Sequence, residues 1–136
     1  MIDVVAGVII KRNKILLARR KAGKSLAGYW EFPGGKIEKG EAREAALRRE
    51  LAEEFSLDAQ IGRFLGENIH DYGAQKIRLM AFLVAEFSGE IRLSDHDRID
   101  WVEAERLSDY RLAPADIPLV KVICNHLDGQ SGRQIL

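Results

Sequence analysis

Trp30-Glu31-Phe32-Pro33-Gly34-Gly35-Lys36, followed by Glu41-Ala42-Arg43-Glu44-Ala45-Ala46-Leu47-Arg48-Arg49-Glu50-Leu51-Ala52-Glu53-Glu54-Phe55-Ser56-Leu57, is the stretch on which the reading of this chain turns. Its first part is apolar and stops at a proline and two glycines, which predicts a sharp, irregular bend. Its second part is dense in Ala, Leu, Glu and Arg, all strong helix formers. Leu47, Leu51 and Phe55 recur every four residues, so the spacing predicts a helix over 41–55 with one face in the core. The acids are ordered along that helix. Glu50 and Glu54 lie about 40° apart in azimuth, and Glu53 about 60° from Glu50 on the other side. Like charges one turn apart destabilise an isolated helix by a few tenths of a kcal/mol. They also occupy its last turns, where the helix dipole favours cations. Two local rules are broken together, which is typical of functional sites.

A divalent cation resolves that conflict. Carboxylate oxygens are hard ligands for Mg²⁺, Mn²⁺ or Ca²⁺, and Mg²⁺ ordinarily keeps waters and takes substrate phosphates as well. The bend at Gly34-Gly35 can bring a backbone carbonyl close. Arg49 is placed to hold and orient one carboxylate through a bidentate fork.

Outward from this stretch the elements alternate between strand and helix, an α+β pattern. Val4 to Ile10 reads as a buried strand, and Ile15 to Arg19 as its returning partner in a hairpin. Lys21 to Tyr29 is a loop. Ile61 to Ile69 and Lys76 to Phe87 have strand composition and flank Asp71-Tyr72-Gly73, and Ile99 to Val102 is a further short strand. Glu103 to Leu107 suits a helical turn. Ile117 to Leu127 has helical spacing, with Asp116 and Pro118 suited to a helix start, and the polar tail 128–133 is expected to fray.

Composition narrows the functional classes. The 136 residues suit a single domain, 1–136, with its own core. Lys plus Arg and Asp plus Glu both number 21, so the formal net charge is +0. That balance argues against a polybasic protein that grips nucleic acid or an anionic membrane. The chain has one cysteine, Cys124, and no CxxC pair, so neither an internal disulfide nor a zinc knuckle is expected. A reducing cytoplasm is the expected location. No apolar run approaches the roughly 20 residues of a membrane span, and the N-terminus carries no secretory pattern. His70, His96 and His126 lack metal-ligand spacing.

Gly35, five residues, Glu41, seven residues, then Arg49-Glu50-Leu51-Ala52-Glu53-Glu54-Phe55-Ser56-Leu57 resembles the Nudix box. One position departs: the family usually has Gly where this chain has Ser56, and that Gly ends the helix in a left-handed conformation. Glu31-Phe32-Pro33-Gly34-Gly35-Lys36, the Leu16 to Arg20 strand and the Trp101 strand resemble the MutT branch. The similarity covers roughly Val4 to Leu127. It implies a Nudix fold, a mixed β-sheet sandwiched between α-helices. It also implies Mg²⁺-dependent cleavage of a nucleoside diphosphate linked to another group. Carried over by position, Glu50, Glu53 and Glu54 are implied metal ligands, joined by the carbonyl of Gly34 or Gly35, while Glu41 and Arg49 are the supporting salt-bridge pair. Glu53, Glu54 and Arg49 are the implied catalytic residues of the box. Asp95, six residues before Trp101, is expected as a further ligand or as the base that activates water, with Asp97 its rival. Arg20 and Lys36 match branch positions that face phosphate or nucleotide.

Leu112-Ala113-Pro114-Ala115-Asp116-Ile117-Pro118 sits where the MutT branch carries a base-reading loop ending in Asn. Asp116 stands at the Asn position. An ionised carboxylate only accepts hydrogen bonds, so it favours an exocyclic amine such as cytosine N4, unless burial protonates it. Asp116 is equally suited to cap the following helix. The same stretch resembles CTP pyrophosphohydrolases. Phe32, or Tyr29 and Trp30, are candidates to stack on a base, and Tyr72 is expected to be an ordinary loop residue. The implied activity is hydrolysis of a nucleoside triphosphate to monophosphate and pyrophosphate, on oxidised dGTP or on CTP-type nucleotides. Rival readings are hydrolysis of a dinucleoside polyphosphate or nucleotide sugar, and a nucleotide sensor without turnover. The expected partner is a small nucleotide, with neither polymeric nucleic acid nor membrane, and the chain is expected to act as a monomer or homodimer.

Overall fold

A computed structural model describes the backbone of residues 1–135 and side chains to residue 129. Strand β1 (Ile2–Val8) is followed by β2 (Ile10–Lys11), β3 (Lys14–Arg20), β4 (Trp30–Glu31) and β5 (Gly34–Lys36). Helix α1 (Arg43–Phe55) leads into the long hairpin β6 (Asp58–Asp71) and β7 (Lys76–Ser88). Then come β8 (His96–Glu103), two 3-10 turns, Ala104–Asp109 and Pro114–Asp116, and helix α2 (Leu119–Ile135). One sheet has the order β5-β1-β7-β6; the other joins β2, β3 and β4, with β8 on the far side of β3. β1 and β7 pair parallel, and the other pairings are antiparallel.

β1, β3 and β7 are buried on both faces through their middles, which is why they read as unbroken apolar runs rather than alternating ones. Side chains of successive residues point to opposite faces. Val5, Leu16, Met80 and Phe82 accordingly pack toward α1 with Leu47, Leu51 and Phe55. Ala6, Leu17, Leu79 and Ala81 pack toward α2 with Leu119 and Ile123. The result is the expected mixed-sheet sandwich between helices.

Three local expectations are corrected. The apolar run Val4 to Ile10 is not one strand of a hairpin. It breaks at Ile9, where the chain leaves one sheet for the other, so only Ile10-Lys11 turns back on Lys14-Ile15. Continuous burial masks that crossing. The expected bend is confined to Pro33, and Gly34-Gly35 are part of β5, laid antiparallel on β1. The closeness explains the residue type, because a Cβ at Gly34 would sit 1.9 Å from the Val5 carbonyl oxygen. The helix begins at Arg43 rather than Glu41, since Glu41 is spent on a preceding turn in which its carboxylate accepts the Glu38 N–H at 3.0 Å. The tail expected to fray continues the backbone of α2 to Ile135. Among the described residues no helix is long and apolar enough to cross a membrane.

Candidate active site

α1 places Glu50, Glu53 and Glu54 in its last two turns because its apolar face is locked into the sheet by Leu47, Leu51 and Phe55, all fully buried. The helix ends at Ser56, which adopts the left-handed conformation (φ 57°) and donates its N–H to Ala52, while Leu57 N–H reaches Leu51. Serine thus takes the geometry usually given to glycine, and the expected change of residue leaves the cap intact.

Arg49 organises the acids. Its Nε and Nη2 fork onto Glu41 at 2.8 and 3.0 Å, so the bidentate partner is Glu41 rather than a helix carboxylate. Its Nη1 bridges Glu50 at 3.0 Å and Glu53 at 3.2 Å, and its Nη2 also donates to the Lys36 carbonyl. One guanidinium therefore ties the helix to β5. Burial pushes the Glu50 carboxyl up, against the opposing pull of Arg49. Burial, a hydrogen bond with Asp95 and the charge of Glu50 push Glu54 up to about 8. The interaction with Glu54, together with Lys24 at 3.3 Å, holds the Asp95 carboxyl low. Asp95 is thus brought to the helix acids, whereas its rival Asp97 is engaged by Arg19 at 2.8 Å.

Among the described residues no three His, Cys, Asp or Glu side chains are already gathered tightly enough to hold an ion. Arg49 holds Glu50 and Glu53, while Glu54 turns to Asp95. The donor set still suits a hard divalent cation: it is all oxygen, burial raises the carboxyls of Glu50 and Glu54, and a cation would offset that cost. Gly35 adds a cradle, since a Cβ there would fall 2.3 Å from the Glu50 carboxyl carbon.

A cleft of about 230 Å³ runs from Gly34 and Gly35 past Arg20 and Glu31 to Tyr72 and Asp116. Lys36 and Phe32 also line it. Arg20 is already committed, donating to Ser25 and, at 3.1 Å, to Glu31. The same Glu31 oxygen accepts from His96 Nε2 at 2.8 Å, and His96 lies stacked on Phe55. Asp116 is not a helix cap. Its Oδ2 accepts the Phe32 N–H at 3.0 Å inside the protein. Burial, reinforced by the charge of Glu31, raises its carboxyl well above the usual carboxylate range. The Phe32 ring is 2% exposed and belongs to the core, so Phe32 meets the cleft as a backbone donor rather than a stacking platform. Trp30 is likewise core, edge-on to Tyr110, and half-buried Tyr29 lies under Arg111. Sequence reasoning gave Glu31 and His96 no part in the site and took Tyr72 for an ordinary loop residue. Single residues without a repeat or a local rule violation carry no signal until the chain is folded.

The residue pattern and the fold define one class of protein: the chain belongs to the Nudix family, whose NUDIX domain model matches residues 1–123. Within it, the chain is 41% identical over 121 residues to the CTP pyrophosphohydrolase of Escherichia coli, covering 89% of this chain and 90% of that protein. It is 41% identical over 91 residues to the 8-oxo-dGTP diphosphatase of Proteus vulgaris, covering 66% and 81%. The solution structure of the E. coli ORF135 protein matches with a TM-score of 0.83 at 40% identity, over 92% of this chain and 89% of that one.

Proposed function

We propose that this chain is a Mg²⁺-dependent nucleoside triphosphate pyrophosphohydrolase that converts a nucleoside triphosphate and water to the monophosphate and pyrophosphate. Its substrates are CTP, modified cytidine nucleotides or oxidised dGTP. The observation that carries this reading is the continuity of site and cleft: Glu50 packs on Gly35, and Gly35 lines the same cleft that Asp116 closes. Relatives of similar sequence bear both substrate names.

A triphosphate and the glutamates of α1 repel one another by about 4 kcal/mol per close charge pair near an effective dielectric of 20. Glu50, Glu53 and Glu54 would hold the cation, with the Gly34 or Gly35 carbonyl, and Mn²⁺ is a chemically acceptable replacement for Mg²⁺. When bound, the cation neutralises phosphate charge, polarises phosphoryl oxygens and lowers the pKa of coordinated water. Arg49 keeps Glu50 and Glu53 aimed and is itself braced by Glu41. Asp95, whose carboxyl Glu54 and Lys24 hold low, would take the proton of the attacking water. Arg20 and Lys36 are the cations that line the cleft beside the phosphates.

Asp116 reads the base. Burial raises its carboxyl, and a neutral carboxyl would both donate and accept, as an amide does. That removes the strict preference for an exocyclic amine expected of an ionised carboxylate. It leaves room for cytosine and for an oxidised purine. The lone thiol, Cys124, suits a reducing cytoplasm. The test is pyrophosphate release from CTP, 5-methyl-dCTP and 8-oxo-dGTP with Mg²⁺. Release from at least one of them, abolished by chelation, is the expected result. No release from any, with tight binding retained, would make the chain a sensor instead.

A further inference from the structure

Ala115, the residue before Asp116, is held from both sides by one hairpin. Its N–H donates to Tyr72 Oη at 3.0 Å, and its carbonyl accepts from Asn68 Nδ2 at 3.2 Å. Asn68 lies near the end of β6, and Tyr72 just beyond it. Tyr72 packs edge-on against His70 at 4.4 Å, and the turn is closed by the Gly73 N–H on the Asp71 carboxylate at 2.8 Å. Ala115 and Asp116 are buried, at 4% and 6% exposure. Asp116 is anchored from the opposite side by the Phe32 N–H on Oδ2, and its Oδ1 has no hydrogen-bond partner among the described residues. Tyr72 and Asp116 line the same cleft.

The peptide groups on either side of Ala115 are therefore set by the β6–β7 hairpin, and the carboxyl that follows is set by Phe32. A buried peptide group that loses its partner keeps the full cost of its desolvation, so the loop must move to recover water or another partner. Moving it swings Asp116.

We propose that Asn68 and Tyr72 are positioning residues for base selection: their two hydrogen bonds to Ala115 aim the Asp116 carboxyl at the base edge of the bound nucleotide. The assignment rests on the reading of this cleft as the nucleotide site. Neither residue lies among the acids of α1, so their effect belongs in discrimination between bases and in KM.

The test compares the full chain with Tyr72→Phe, which keeps the ring and removes the acceptor, and Asn68→Asp, which keeps the size and removes the donor. Two readouts are taken. One is kcat and KM for CTP and 8-oxo-dGTP with Mg²⁺. The other is calorimetric Kd for CMP and 8-oxo-dGMP without metal. Each variant is expected to change the ratio of the two monophosphate Kd values by about fivefold, the equivalent of one neutral hydrogen bond. The KM ratio should move with it, and kcat on the better substrate should change by less than about threefold. An unchanged ratio, whether through equal weakening of both monophosphates or no weakening of either, would overturn the proposal. So would a wild type that binds both monophosphates equally. A wild type that binds one monophosphate selectively, loses that selectivity in the variants, yet turns over no triphosphate would support the clamp and refute the hydrolase reading.

Discussion

Replacing Gly35 by alanine tests the coupling between backbone and metal site. The added Cβ would lie 2.3 Å from Glu50 Cδ and 2.4 and 2.6 Å from its two oxygens. Ordinary contact begins near 3.4 Å, so the carboxyl must retreat by about 1 Å. It is not free to do so cheaply, because Glu50 is buried and Arg49 Nη1 holds its Oε1 at 3.0 Å. A displacement of about 1 Å at a reacting centre costs on the order of 100-fold in rate. Gly35→Ala is therefore expected to lower kcat about 100-fold in a pyrophosphate-release assay while the protein still unfolds cooperatively. Gly34→Ala is the contrast. There the obstacle is the Val5 carbonyl of the sheet at 1.9 Å, so backbone must move and thermal stability should fall sharply. A Gly35→Ala enzyme within about threefold of wild type would refute the claim that Glu50 must stand against this backbone.

The remaining expectations are as follows. Glu54→Gln should cut kcat by orders of magnitude at saturating Mg²⁺ with the fold retained, and near-normal turnover would remove Glu54 from the mechanism. In metal-free protein Glu54 binds a proton more tightly folded than unfolded, its carboxyl standing at about 8 instead of 4.5. Its contribution to stability is thus complete below the unfolded value and lost as pH rises through about 8. Thermal melts in chelator should show that decline, and both Mg²⁺ and Glu54→Gln should flatten it. As pH rises and Asp116 ionises, wild type should turn toward amine-bearing cytosine nucleotides while Asp116→Asn should not; parallel pH profiles of the CTP to 8-oxo-dGTP kcat/KM ratio would exclude Asp116 from base reading. Ser56→Gly should stabilise the protein by up to about 1 kcal/mol, since Ser56 now pays the cost of left-handed φ, and a lowered melting temperature would show that the hydroxyl contributes.

The central helix and its acids were legible because two signals coincide there. Leu47, Leu51 and Phe55 mark a buried face, and Glu50, Glu53 and Glu54 violate the charge rules for the rest of it. The partnership of Glu41 with Arg49 was legible only through family resemblance, since nothing local says that a residue outside the helix will receive the guanidinium. The break at Ile9 was hidden because both sheets share one layer between two helices, and apolar side chains satisfy either sheet equally. Asp95 was singled out by its spacing from Trp101, but its approach to Glu54 depends on β8 lying beside β3, a long-range pairing. Asn68 and Tyr72 act through hydrogen bonds to the Ala115 backbone, and backbone partners leave no mark on side-chain pattern. Asp116 was singled out from its loop, but the burial that raises its carboxyl is a property of the assembled sandwich and leaves no local mark.

The most direct measurement is a crystal structure with Mn²⁺ and a non-hydrolysable triphosphate analogue, with the ion located by anomalous scattering. The account predicts an ion with Glu50 and Glu54 oxygens within about 2.3 Å, Glu53 or a Gly34 or Gly35 carbonyl nearby, and the Glu54–Asp95 proton gone. An ion bound elsewhere, with Glu50 still on Arg49 and Glu54 still on Asp95, would contradict it.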